Sequence, residues 1–147
     1  MKTEIVTPNK TSIQKIGSTT KVINWFEIPV ADTARAKKFY ETILDIKMQT
    51  EYADDTKDEV TFFPSVPGSL QAESSKSSGV LLKSDSCKPS TVGIIAYLNA
   101  NPSIQTVIDK IVKAGGKMIV PKTRILTGFL SLFSDTEGNR VALHSIA

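Results

Sequence analysis

The sequence predicts an α+β fold made of one β-α-β-β-β module used twice. Three observations carry that expectation. Residues 25–44 (WFEIPVADTARAKKFYETIL) and 93–112 (GIIAYLNANPSIQTVIDKIV) repeat each other about 68 residues apart. Each stretch sets a β-rich run, a polar cap and an amphipathic helical stripe in the same order, which marks one module duplicated rather than a solenoid of short repeats. Each is then followed by three further strand-like runs. A ferredoxin-like sandwich also alternates strands and helices, but returns to a helix after fewer strands.

The elements follow in chain order. Residues 1–21 read as a polar N-terminal arm, and residues 22–147 as one domain, with modules over 22–84 and 91–147. Residues 22–30 are β-branched and aromatic and end before Asp32, a suitable N-cap. Beyond it Ala36, Phe39, Tyr40, Ile43 and Leu44 fall on one helical stripe, so Phe39 and Tyr40 are expected in the core. Asp45 closes the helix where a left-handed residue is needed, a conformation Asp tolerates. Residues 46–52 and 59–63 read as strands around a polar turn. The Pro/Ser-rich stretch 64–78 reads as a long loop of the kind that can close over a ligand. A short strand follows at 79–83 and a linker at 85–90. In the second module residues 91–98 read as a strand. Asn101 reads as an N-cap with Pro102 at the first helical position. Ile104, Val107, Ile108, Ile111 and Val112 repeat the stripe, and Gly115 and Gly116 end it. Strands are expected over 117–120, stopped by Pro121, then over 127–134 and 140–146, with the DTEGN turn at 135–139 between the last two.

Composition excludes several classes. At 147 residues with 40% hydrophobic and 22% charged side chains, the chain can bury a core without disulfides or metals. Its single cysteine, Cys87, permits no intramolecular disulfide and no thiolate cluster. The net charge of +3 is spread over scattered lysines, with no basic stripe and no interleaved aromatics, so no nucleic-acid partner is expected. No apolar run is long enough to span a bilayer, and the first 21 residues lack the apolar core of an export signal. The expected location is cytoplasmic, with no membrane partner.

The segments WFEIPVADTARAKKFY, AGGKMIVPKT and SDTEGNRVALH resemble the vicinal oxygen chelate superfamily, which includes glyoxalase I, extradiol dioxygenases and bleomycin-resistance proteins, and within it the glyoxalase-related branch. The likeness runs from about Val22 to the C-terminus. It implies two βαβββ modules forming a curled mixed sheet around a cavity, with the helices outside, and a homodimer. Metal-using relatives place His, Gln or Glu ligands on the first and last strands of each module. Carried onto this sequence, those positions fall at Trp25, Gly93 and Ala142 and within 79–83, a stretch without Asp, Glu or His. Indole, hydrogen and alkyl groups cannot ligate a divalent ion, and the chain has one histidine. No metal and no other cofactor is therefore expected.

Strand alternation then sorts the side chains. With Trp25 turned to the cavity, Ile23, Glu27 and Pro29 share its face, while Phe26 and Ile28 face the helices. With Ala142 inward, Arg140 and His144 follow, and Val141 and Leu143 join the core. Tyr97 follows from Gly93 and Ile95. One of Phe62 and Phe63 faces in, as does one of Phe129 and Leu130. The candidate ligand-binding residues are Trp25, Tyr97, Arg140 and Phe62, and the candidate acid/base residues are Glu27 and His144. Each has a plainer reading as space-filling, ion-paired or rim-exposed. The first functional expectation is a metal-independent protein binding a small, partly aromatic molecule, as the resemblance to bleomycin-resistance proteins implies. The alternative is a metal-independent lyase or isomerase using Glu27 or His144. A metal-dependent glyoxalase or dioxygenase is disfavoured by the missing ligands.

Overall fold

A computed structural model describes residues 16–18, 22–65 and 78–147. The chain runs β1 (Trp25–Pro29), α1 (Thr33–Leu44), β2 (Gln49–Ala53), β3 (Asp58–Phe62), β4 (Ser78–Lys83), β5 (Tyr97–Asn99), α2 (Ile104–Ile111), β6 (Lys117–Ile125), β7 (Gly128–Ser134) and β8 (Arg140–Ser145). Each helix is thus followed by three strands, as the sequence predicts. The strands form two four-stranded mixed sheets, β1-β4-β3-β2 and β5-β8-β7-β6, and the first and last strands of each module pair in parallel. Most of the 64–78 loop and of the N-terminal arm lies outside the described residues.

The core forms where the helical stripes meet the sheets. Ala36, Phe39, Tyr40 and Ile43 of α1 and Ile104, Val107 and Ile111 of α2 are buried with Ile28, Leu81, Phe63, Leu98, Phe133, Val141 and Leu143. Phe39 packs on Phe133 across the two modules at 5.9 Å between ring centroids. Burying side chains of this size contributes about 1.5–3 kcal/mol each relative to exposure. Asp32 caps α1 by accepting from Arg35 N at 3.0 Å, and Asp45 is left-handed at φ 52°. Gly79 lets β4 approach β1, since a Cβ there would lie 2.3 Å from Phe26 O.

Several sequence expectations need correction. α2 starts from Ser103, not Asn101, and Pro102 precedes the helix. The reason is that Asn101 is used elsewhere: its Oδ1 accepts from Ile146 N at 2.8 Å. The first α2 amide, Ile104 N, is instead satisfied by Ser145 Oγ and Ala147 O from the C-terminal strand. Pro121 does not stop β6, which runs on to Ile125. β6 is an edge strand, and its register shifts on both sides of Val120 absorb the missing N–H. The strand expected over 91–98 shortens to β5, and the one expected over 22–30 begins at Trp25.

The two modules are joined by the 135–139 turn. Asp135 is buried and accepts from Tyr40 Oη at 2.7 Å, Asn139 N at 2.8 Å, Glu137 N at 2.9 Å and Asn139 Nδ2 at 3.0 Å. Asn139 Nδ2 also donates to Pro29 O at 2.7 Å, and its Oδ1 accepts from Ser90 N at 3.0 Å. Glu137 reaches the N-terminus of α1, where it accepts from Ala31 N, Asp32 N and the Arg35 guanidinium, the last at 2.6 Å from Nε. Asp32 supplies one carboxylate at this N-terminus from within the module, and Glu137 adds a second from the other module.

Burial alone would raise the Glu137 pKa, but the donors from Arg35, Asp32, Thr136 and Ala31 outweigh it and hold the carboxyl below its ordinary value. A depressed carboxylate adds stability above the unfolded value, about 4.3, and that stability is lost as pH falls through the folded value. Unfolding free energy should therefore drop below about pH 4.3, and Glu137→Gln should flatten that drop. An unchanged acid limb in the variant would contradict this. Tyr40→Phe, which removes one bond to the buried Asp135 carboxylate, should cost about 1.5–3 kcal/mol in urea unfolding.

Candidate ligand-binding site

Each sheet has one face against the helices and one turned away. On the first sheet the ladder puts Glu27, Val80, Phe62 and Gln49 in one row of the outward-turned face, with Pro29, Leu82, Val60 and Glu51 in the next. Alternation leaves Phe26, Ile28, Thr61 and Leu81 to the helix side, where they are buried or pack on the core. Trp25 meets Phe62 on the outward-turned face, with ring centroids 6.3 Å apart and planes at 59°, a favourable tilted aromatic contact. Phe63 goes the other way and packs on Tyr40 and Phe26. Val80 is wholly buried and forms the floor, while Glu27 is exposed. The Glu27 carboxylate makes no hydrogen bond or ion pair among the described residues. Its charge nonetheless acts on Cys87, whose thiol is pushed up first by burial, then by Glu27 and Asp58.

On the second sheet the corresponding face carries Tyr97, Ala142 and Leu132 in one row, and Asn99, His144 and Leu130 in the next. Leu130 therefore faces away from the helices, and Phe129 packs on the core with Lys122 above its ring at 4.3 Å. Ala142 is wholly buried, and Tyr97 is 53% exposed. Arg140 Nη2 donates to Gly93 O at 3.3 Å, and His144 Nε2 lies 3.0 Å from Thr127 O.

The structure thus brings Trp25 to Phe62, and sets Tyr97, Arg140 and His144 on one face of one sheet. It does not join Glu27 to His144, which sit on different sheets. Gly93 is not a strand residue: it lies in a bend at φ 98°. By ladder position Val30 matches Ala100, 70 residues on, because their amides bond to the last strand of each module. The helical stripes match at 68, as Ala36 and Ile104 show. The strand-to-stripe spacing is two residues shorter in the second module, so the partner of Trp25 is Ile95. A depression of about 580 Å³ lies elsewhere, at the start of α1, lined by Thr33, Lys37, Thr50, Glu59 and Lys83. Glu59 already takes hydrogen bonds or charge from Thr33 and Lys83 there. What sequence reasoning missed was the clamp formed by Asp135, Glu137 and Asn139. Its only signal was the run of polar residues in one turn.

A family model for the glyoxalase/bleomycin resistance protein/dioxygenase superfamily matches residues 22–143. The chain belongs to this superfamily. No curated protein matches the sequence significantly. Among solved structures, a glyoxalase I variant from Zea mays aligns at TM-score 0.63 and 18% identity, covering 83% of this chain and 45% of that one. The chain thus spans about half the length of the maize enzyme. A Leishmania major glyoxalase I described as trypanothione-dependent aligns at 0.61 and 15%, covering 86% and 88%. TnmS3, an antibiotic binding protein from Streptomyces sp. CB03234, aligns at 0.61 and 19%, covering 89% and 100%. At these identities the structural likeness concerns the fold.

Within this superfamily the metal-using resemblance can be tested against the donors present. The positions on the first and last strands of the modules hold Trp25, Ile95, Val80 and Ala142, none of which can ligate. Among the described residues no three His, Cys, Asp or Glu side chains group to hold an ion. The residues do not fit the metal. Addition of nickel, zinc or iron(II) should therefore move Tm by less than about 1 °C, since an ion that does not bind the folded state adds no stability. A stoichiometric ion with a clear rise in Tm would contradict that.

Proposed function

We propose that this superfamily member is a metal-independent binding protein for a small, partly aromatic molecule. The observation that carries the reading is the outward-turned face of the first sheet. There the Trp25–Phe62 pair stands over an apolar floor of Val80 and Leu82, with separate polar groups and no reactive cluster. Apolar surface with a few placed polar groups is the usual make-up of a small-molecule site. An antibiotic binding protein shares the fold, which supports the same class of activity. No helix among the described residues is long and apolar enough to cross a membrane.

A homodimer is part of the reading. β1 and β5 are edge strands, and exposed Val22, Ile23, Val92 and Ile94 lead into them. Exposed apolar residues on sheet edges favour burial against another chain. The outward-turned face of module one carries Glu27 and Glu51, and that of module two carries Arg140 and Lys117. A two-fold arrangement would set unlike charges together.

Trp25 is the only tryptophan, so binding has an internal reporter. A screen of aromatic small molecules by thermal shift should find a compound that changes Trp25 emission. At about 100-fold over Kd it should raise Tm by about 5–10 °C. Trp25→Ala should weaken it at least about 10-fold, as loss of a buried aromatic contact does. A hit unaffected by Trp25→Ala, with emission unchanged, would contradict the site. The enzymatic alternative rests on the unpartnered Glu27 carboxylate. It requires turnover of a bound compound that Glu27→Gln abolishes while binding persists. Light scattering should give twice the chain mass; a monomer at high concentration would remove the dimer.

A further inference from the structure

The outward-turned face of the second sheet holds a donor with nothing to donate to. Arg140 Nε is shut off from water and has no hydrogen-bond partner. The guanidinium is otherwise held only at Nη2, by Gly93 O at 3.3 Å, and forms no ion pair with a described residue. Arg cannot shed its charge, and a desolvated N–H without an acceptor is a standing cost. Native proteins keep such groups where something else completes them.

The surroundings narrow what would complete it. Along β8 the next residue on the same face is Ala142, which is wholly buried, with Tyr97, 53% exposed, on one side and Leu132 on the other. Ser134, directly across from Arg140, offers a neutral hydroxyl. His144 is tied through Nε2 to Thr127 O at 3.0 Å, so it is positioned by the protein itself. The carboxylates of this face, Glu27 and Glu51, belong to the other sheet. A cationic fork beside the apolar side chains of Tyr97 and Leu132 matches a planar carboxylate on an aromatic body.

We infer that Arg140 anchors the carboxylate of an aromatic organic acid whose apolar body lies against Tyr97 and Leu132. This rests on the proposed binding of a small aromatic molecule and names its chemical class. The test compares 2-naphthoate with 2-naphthamide by calorimetric titration, using wild type, Arg140→Ala and Arg140→Lys. The acid should bind wild type about 10- to 100-fold more tightly than the amide, the range for a charge-assisted hydrogen bond. Arg140→Ala should bring the two within about twofold, and Arg140→Lys should recover only part of the gap. A preserved Tm shows that the variant is folded. If both probes bind wild type equally, or the acid's advantage survives Arg140→Ala, this inference falls and the aromatic site stands. If neither probe binds, both fall.

Discussion

The structure depends on a carboxylate contributed by one module to the other. Asp135 sits buried in the β7–β8 turn and takes the Tyr40 hydroxyl from the middle of α1, 95 positions earlier in the chain. Its charge is tolerable because several donors converge on it, and an uncompensated buried carboxylate would cost far more than one hydrogen bond returns. Burial, then the charge of Asp135, push the Tyr40 pKa well above its ordinary value, so the phenol stays a donor. Beside it Glu137 closes the start of α1 and Asn139 ties the end of β1. The two modules are thereby held in one relation. The faces they turn away from the helices keep a fixed relation too.

What those faces can do follows from strand alternation working on an unusual choice of residues. The helix-facing positions are mostly apolar, with the hydroxyls of Thr61, Ser131 and Ser145 buried among them. The opposite positions hold an aromatic pair, two buried floors at Val80 and Ala142, and charges that differ by module. Among the described residues, side chains able to hold an ion are scattered rather than convergent. On the proposed reading, these faces serve contact with an organic molecule. That is why fold and function must be argued from different residues.

Much of the fold was legible because helical and strand periodicities are local. Ala36, Phe39, Tyr40 and Ile43 and then Ile104, Val107 and Ile111 were readable as buried stripes, and so was the split of Phe26 and Ile28 from Trp25 and Glu27. Val112, expected on the second stripe, is instead exposed because α2 ends at Ile111. The failures share a cause: a distant residue changed a local preference. Asn101 looks like a cap until Ile146 claims its side chain, and Pro121 looks like a stop until the edge position makes its missing N–H harmless. The 68-residue repeat gave the right modules but the wrong strand register. Helices and strands carry different offsets, so Gly93 stood where Ile95 belongs. The clamp was invisible because neither Tyr40 nor Asp135 has a pattern that announces the other.

On the proposed reading, a small aromatic molecule binds on the strand faces turned away from the helices, without a metal. Amide NMR during titration with 2-naphthoate, in the presence of a chelator, tests it most directly. Shift changes concentrated at Trp25, Glu27, Val80, Tyr97 and Ala142 are predicted. Changes confined to the depression around Thr33, Lys37 and Lys83, or changes that vanish when the chelator is added, would contradict it.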